Sequence, residues 1–207
     1  MPWGESIEWQ AGEMGSVAPK PLTTARLVLL PWPLTREAHR DGLISAWNDP
    51  AVWRWVGAGT RSSYSRQELD DVLRRAPERG FSYDDEWVVT RAEDGVVLGA
   101  VWLAPWWTEG ATEGTPMLGY RYGQHAWGHG YGAEAAAAVM AEAERRGHTR
   151  VESSAYPDNT ASHRILLRLN FQPTDTRPLP EDPSKVVQWY AWRAQKTFES
   201  PVQSEVG

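Results

Sequence analysis

The sequence predicts one α/β domain on a mixed sheet, and three observations predict it. Short apolar, β-branched runs alternate with helical stretches along the chain, the α/β pattern. Two of those runs, Trp87–Arg91 and Val96–Leu103, are separated by Glu93-Asp94-Gly95, and Asp-Gly between strands marks a hairpin, so the sheet is not purely parallel. The 207 residues are enough for one core that buries about 70% of the unfolded surface.

Composition narrows the class. Hydrophobic residues are 41% and charged residues 23%, which excludes collagen, a coiled coil and wholesale disorder. With no cysteine in the chain, disulfides, thiolate metal sites and a cysteine nucleophile are ruled out. His125 and His129 are four apart, but no Glu follows His125, so the zinc-protease motif is missing and no metal is expected. The net charge of −6 gives no basic footprint for nucleic acid. No apolar run approaches the roughly 18 residues that span a bilayer. Residues 1–20 lack a basic segment followed by an apolar one, so no secretory signal is expected. A cytoplasmic protein without membrane or nucleic-acid partners follows as the expectation.

The elements follow in order. Residues 1–20 have no sustained period and read as a flexible arm. Arg26–Trp32 is an apolar first strand closed by Pro31 and Pro33. Thr35 offers an N-cap to a helix reaching about Trp47, and Asn48-Asp49-Pro50 stops it. Ser65-Arg66-Gln67-Glu68 is a capping box opening a helix over about 66–76. The hairpin supplies strands two and three. Pro105–Pro116 is a loop, and Met117–Tyr122 a fourth strand. The glycines at 128–132 lead into an Ala-rich helix, Ala133–Arg146. Val151–Ala155 is a fifth strand, Thr160–Asn170 a helix, and Val186–Arg193 the last strand. The domain therefore spans 21–194, and 195–207 is a polar tail.

Two segments carry chemistry. In Leu118–Glu134, LGYRYGQHAWGHGYGAE, a strand enters a loop with Gly128, Gly130 and Gly132 and then a helix. Alternate glycines let consecutive main-chain N–H groups face one way, and the helix N-terminus adds partial positive charge. Such a loop suits a diphosphate without any basic side chain; it is equally a tight strand-to-helix turn. Its glycines also satisfy a dinucleotide pattern, but too little chain follows, and the preceding hairpin is not a βα unit. In Val151–Ser162, VESSAYPDNTAS, a strand ends where Asn159 and Ser162 open a helix at the sheet's C-terminal edge. Ligands of α/β folds bind there, and helix capping is the plainer role for the same residues.

Together, LTTARLVL from Leu22, LGYRY, AWGHGYGAEA and YPDNTASHRILLRLNF resemble the GNAT N-acetyltransferases, in particular the ribosomal-protein N-acetyltransferase-like (RimJ/RimL-type) branch. The resemblance covers about 22–193. It implies a sheet splayed between the fourth and fifth strands, helices on both faces, and acetyl-CoA as co-substrate in the gap. It assigns the coenzyme to Leu118, Gly119, Tyr120, Arg121 and Tyr122, to the loop His125, Trp127, Gly128, His129, Gly130, Tyr131 and Gly132, and to Asn159, Ser162 and Arg168. Ser162 matches a serine proposed in this branch to protonate the departing thiolate. His125 stands where Gln or Arg is common.

The implied reaction is direct attack by a primary amine, from a small molecule or a protein N-terminus, in a ternary complex. The ammonium must first lose a proton. Many relatives carry Glu two residues before the glycine of the LGY strand; this chain has Met117. The base must then come from elsewhere, with Glu109, Glu113, Asp84, Asp85 and Glu86 as candidates and Glu113 preferred for its closeness to the fourth strand. Tyr156 and Tyr131 are alternative proton-handling groups. Met117 also motivates a second reading, a catalytically silent acyl-CoA-binding module.

Thirteen tryptophans are many for this length. Trp53, Trp55, Trp102, Trp106 and Trp107 are the acceptor-side candidates, although Trp87 and Trp102 read more simply as strand core. The Trp106-Trp107 pair reads as an acceptor contact or a homodimer interface. Trp189 and Trp192 should face opposite sides of the last strand.

Overall fold

The computed structural model describes residues 20–55, 63–74, 85–105, 112, 114–179 and 182–194. Along the first part run strands β1 (Leu22–Thr23) and β2 (Leu27–Pro31), then helices α1 (Glu37–Trp47), α2 (Pro50–Trp53) and α3 (Arg66–Arg74). The hairpin follows as β3 (Glu86–Arg91) and β4 (Val97–Pro105), and then β5 (Pro116–Tyr122). Helix α4 (Tyr131–Arg145), β6 (Arg150–Ala155), α5 (Thr160–Arg168), β7 (Gln172–Leu179) and β8 (Asp182–Arg193) complete the chain. The strands form one sheet in the order β1-β2-β3-β4-β5-β6-β8-β7.

The hairpin forms as its turn residues predict. Arg91 N–H donates to the Val96 carbonyl at 2.9 Å, and Gly95 holds φ +73°, the left-handed region that glycine enters without strain. Helix α4 opens at Tyr131 rather than Ala133 and β8 at Asp182 rather than Val186, and three further differences have local causes. Helix α1 starts one residue later, because Thr35 Oγ1 instead closes a 3-10 turn on the Trp32 carbonyl at 2.7 Å. The Arg36 N–H is met by His39 Nδ1 at 2.9 Å. The stop at Asn48-Asp49-Pro50 is also a start: Asp49 Oδ1 accepts from Ala51 N–H at 2.8 Å, with Pro50 in the first turn, and this caps α2. Strand β7 escapes a propensity reading because Pro173 and Pro178 interrupt it. It is an edge strand paired only with β8, and the sheet margin is where proline is tolerated within a strand.

Side-chain alternation divides the core. On one face Leu27, Leu29, Trp87, Val89, Val101, Leu118 and Trp192 pack under α4 and α5, whose contributions are Ala135, Ala136, Val139, Ala143 and Leu166. On the other, Val88, Val97 and Ala100 meet Leu43, Ala46 and Trp47 of α1 and Leu69 of α3. Trp189 joins Met117 and Val187 on this second side, while Trp192 lies in the first core, so the two are on opposite faces as expected.

One irregularity positions the site. Strands β4 and β5 pair from Gly99↔Tyr122 through to Pro105↔Pro116, and β6 and β8 from Arg150↔Arg193 to Ala155↔Gln188. Between them, parallel β5 and β6 meet at a single register, Met117 opposite Glu152. Beyond it the two strands part toward their C-terminal ends.

Candidate active site

The gap is lined by main chain. Leu118's carbonyl points at β6, where Ser153 Oγ donates to it at 2.8 Å. Main-chain groups of alternate residues share a strand edge, so the N–H and C=O of Tyr120 also face the opening. Tyr120's hydroxyl donates to the Ser162 carbonyl at 3.3 Å, joining β5 to α5 across the gap. A carbonyl oxygen entering beside β5 would find the Tyr120 N–H as an oxyanion donor.

At the end of β5 the loop is shaped by two of its three glycines. Gly128 and Gly130 both hold φ +79°, and a Cβ on Gly128 would meet nothing within 4 Å, so the loop surface is open there. Gly130 is the N-cap residue of α4. Gly132 serves packing: a Cβ there would come within 3.2 Å of Ile165 Cδ1 and Tyr122 Cε2. Trp127 anchors the loop to the strand, donating from Nε1 to the Tyr122 carbonyl at 2.9 Å, with its ring 39% exposed. His125 is tied to the Val97 carbonyl through Nε2 at 3.0 Å, which makes it a loop tether. His129 stacks on Tyr131, ring centroids 5.5 Å apart.

Helix α5 opens as its sequence demands. Asn159 Oδ1 accepts from Ser162 N–H at 3.2 Å, the capping role. Ser162 is half-buried at the gap, its side chain within hydrogen-bonding reach of the Tyr120 hydroxyl. His163 is fixed beside it, with Nδ1 2.6 Å from the Tyr190 hydroxyl and Nε2 3.0 Å from the Tyr156 carbonyl. Arg168 lies at the far end of α5, roughly 13 Å along the axis from Asn159.

The opposite face of β5 has a different character. Glu86, Trp102 and Gly119 form a row across β3, β4 and β5. Trp102 lies on Gly119 so closely that a Cβ would be 2.2 Å from its Nε1. Trp102 is half-buried, unlike Trp87, which is core at 1% exposure. Two residues along, the Arg121 guanidinium is walled by Trp47, Trp53 and Tyr64, at 4.5, 5.4 and 5.9 Å from the ring centroids. Its Nη1 is buried without a hydrogen-bond partner among the described residues. Burial lowers the Arg121 pKa against the opposing pull of Tyr64 and Glu86. Of the coenzyme residues expected on β5, Arg121 thus turns its side chain to this second face. Trp55 lies outside the box, under Arg54 at 4.4 Å.

Two carboxyls compete as proton acceptors here. Glu152 neighbours Met117 across the strand pair, but its oxygens are taken by Thr112 Oγ1 at 2.7 Å, Thr112 N–H at 3.2 Å and Arg150 Nη2 at 2.5 Å. Glu86 accepts no hydrogen bond among the described residues. Burial pushes its pKa up to about 7, against the pull of Arg121. Tyr156 is seated with Met117, Val187 and Trp189. Glu113, Glu109, Asp84, Trp106 and Trp107 lie outside the described residues, as do residues 1–19 and 195–207.

Sequence reading missed the Arg121 box, because Trp47, Trp53, Tyr64 and Arg121 converge from four separate segments with no common spacing. It also missed the bonding of Glu134, on α4, by Arg26, at the head of β2. The motif pair LTTARL and GAEA carried that signal, though only as a resemblance.

A split parallel strand pair, with a glycine loop and two helix N-termini at its open end, defines the class: an acyltransferase that takes its acyl group from a CoA thioester. The comparisons agree. The family model "Acetyltransferase (GNAT) domain" matches residues 26–172, and the chain belongs to that family. Solved structures share the fold at low identity. An acetyltransferase (GNAT family) from Bacillus anthracis superposes with a TM-score of 0.69 at 13% identity, covering 84% of this chain and 98% of its own. A RimL ribosomal L7/L12 α-N-protein acetyltransferase, in complex with coenzyme A, gives 0.65 at 17%, covering 84% and 98%. A ribosomal-protein-alanine N-acetyltransferase from Brucella melitensis gives 0.61 at 17%, covering 77% and 97%. Among the curated proteins none matches. No helix among the described residues is long and apolar enough to cross a membrane, and no group of residues among them could hold a metal ion.

Proposed function

We propose that this acetyltransferase moves the acetyl group of acetyl-CoA to a primary amine that enters on the Trp102–Glu86 face, with Glu86 as general base. The observation that carries the reading is the row Glu86, Trp102, Gly119, which runs from a carboxyl poised near neutrality to the parted edge of β5. Two strand spacings, roughly 10 Å, separate Glu86 from Gly119, so the proton travels through water.

In the proposed step the ammonium gives its proton to Glu86, and the free amine attacks the thioester carbon. The N–C bond forms, and the Tyr120 N–H holds the developing oxyanion. The C–S bond breaks, the Ser162 hydroxyl gives the thiolate its proton, and the proton shed by the nitrogen as it becomes an amide returns to Ser162 through water. Diphosphate recognition falls to main-chain N–H groups of 128–132 and the start of α4, which explains why a His129 stacked on Tyr131 and a tethered His125 suffice.

The test is thiol release from acetyl-CoA across a panel of α-amines, amino acids and polyamines. Glu86→Gln should lower kcat roughly 10²-fold on any active amine and leave KM for acetyl-CoA within about twofold. The rise of wild-type kcat/KM through pH 7 should vanish in the variant. A protein that binds CoA but turns over no amine would be the silent module, and the base assignment would fall with it.

A further inference from the structure

The anion-binding reading of the loop carries an electrostatic contradiction, and the structure resolves it. Glu134 stands in the first turn of α4. A carboxylate is itself a favoured occupant of a helix N-terminus and repels any other anion there. This carboxylate is held by residues from the head of β2. Thr24 Oγ1 donates to its Oε1 at 2.6 Å, Arg26 N–H to Oε1 at 3.1 Å, and Arg26 Nε to Oε2 at 2.7 Å. Burial opposes ionisation, but the bonds from Thr24 and Arg26 keep the Glu134 carboxyl below its ordinary pKa, so its charge is full at neutral pH.

Arg26 does more than pair. Its guanidinium lies 4.8 Å from the Tyr131 ring centroid, and Nη1 donates to the His129 carbonyl at 3.1 Å. The C=O and N–H of a trans peptide point in opposite directions. Holding the His129 carbonyl on the β2 side therefore turns the Gly130 N–H to the other side. Arg91, the other cation near this corner, is already taken by Asp94 at 2.9 and 2.5 Å.

We infer that Arg26 is a positioning residue of the coenzyme site: it cancels the Glu134 charge beside the diphosphate and orients the Gly130 N–H. The inference rests on the CoA reading above. It makes an unusual prediction about sign. If Arg26 only glues β2 to α4, removing either partner weakens binding. If it cancels charge, removing Glu134 leaves Arg26 free to attract the diphosphate, and binding tightens.

The experiment measures dissociation constants for CoA and for acetylpantetheine, which lacks the diphosphate, by calorimetry with wild type, Glu134→Gln, Arg26→Gln and the double variant. Thermal unfolding runs beside it. Glu134→Gln keeps an acceptor for Thr24 and Arg26; it should tighten CoA roughly threefold or more and leave acetylpantetheine unchanged. Arg26→Gln should weaken CoA roughly ten- to thirty-fold, and adding Glu134→Gln should recover most of that loss. Weaker CoA binding by Glu134→Gln overturns the inference, and so does a double variant no better than Arg26→Gln or an equal loss for acetylpantetheine. Wild-type protein that binds neither ligand would overturn the site reading itself, and this inference with it.

Discussion

The two sides of the β5 strand are built on different principles. On the side we propose for the coenzyme, the recognising groups are main chain. Gly128 and Gly130 curl a loop, Tyr120 presents its backbone to a gap, and Asn159 caps a helix start. On the side we propose for the acceptor they are side chains: Glu86, Trp102, Trp53, Tyr64 and Arg121 come from β3, β4, α2, the run before α3, and β5. A backbone site needs a local conformation and so leaves a contiguous motif. A side-chain site needs only that distant segments fold together, and it can be rebuilt one residue at a time. One fold can thus keep its coenzyme and change its acceptor.

The sharpest way to break this comparison is Gly130→Val. A β-branched residue at φ +79° is strained wherever it is placed, and here it would also unseat the N-cap of α4. CoA affinity should fall more than about 100-fold by calorimetry, well beyond the roughly 2 kcal/mol expected of one lost helix-terminus contact. Circular dichroism should still report a folded protein. Retained affinity would reduce the loop to a turn.

How far the molecule was legible follows the same divide. The β5–loop–α4 run, the hairpin and the Asn159 cap could be read because their residues are adjacent and each has a local cause: Gly95 at the turn, the alternate glycines of the loop, Asn159 at α5. Edge strand β7 could not, since Pro173 and Pro178 speak against a strand and only its place at the sheet margin permits it. Glu86 was one carboxylate among several near the acceptor side. Nothing in its neighbours in sequence tells that burial raises its pKa to about 7. The Arg121 box was invisible for the same reason.

Ser162→Ala sharpens the comparison at the point where both sides meet. The Ser162 main-chain N–H is committed to Asn159 and the carbonyl to Tyr120, neither through the hydroxyl. Losing the hydroxyl therefore spares the backbone geometry. Turnover should drop roughly ten- to a hundred-fold with CoA affinity within about twofold. Unchanged turnover would remove its acid role.

Glu86→Gln exposes the cost of a side-chain site. A carboxyl whose folded value is raised to about 7 prefers its protonated form in the folded protein. Its contribution to stability is complete below the ordinary carboxyl range and is lost as pH climbs through 7. Glutamine has no such loss. The variant should equal wild type near pH 4 and exceed it at pH 8 by on the order of 3 kcal/mol, several degrees in Tm. It should do so while being the poorer enzyme. Equal melting curves at pH 8 would mean that Glu86 is not desolvated, and its claim as base would weaken with them.

The smallest effect tests whether a capping residue can also be a ligand. Asn159 Oδ1 is occupied by the Ser162 N–H, which leaves its Nδ2 as the group able to reach a pantetheine amide. Asn159→Ala should cost about 1 kcal/mol of stability, the ordinary price of an N-cap, or some 2–4 °C in Tm. Asn159→Asp keeps the cap and removes the donor, and so separates the two roles. If the side chain also binds, the Asp variant melts like wild type yet holds CoA several-fold more weakly. If it only caps, the Asp variant matches wild type in both measurements, and the coenzyme side is held by main chain alone at this corner.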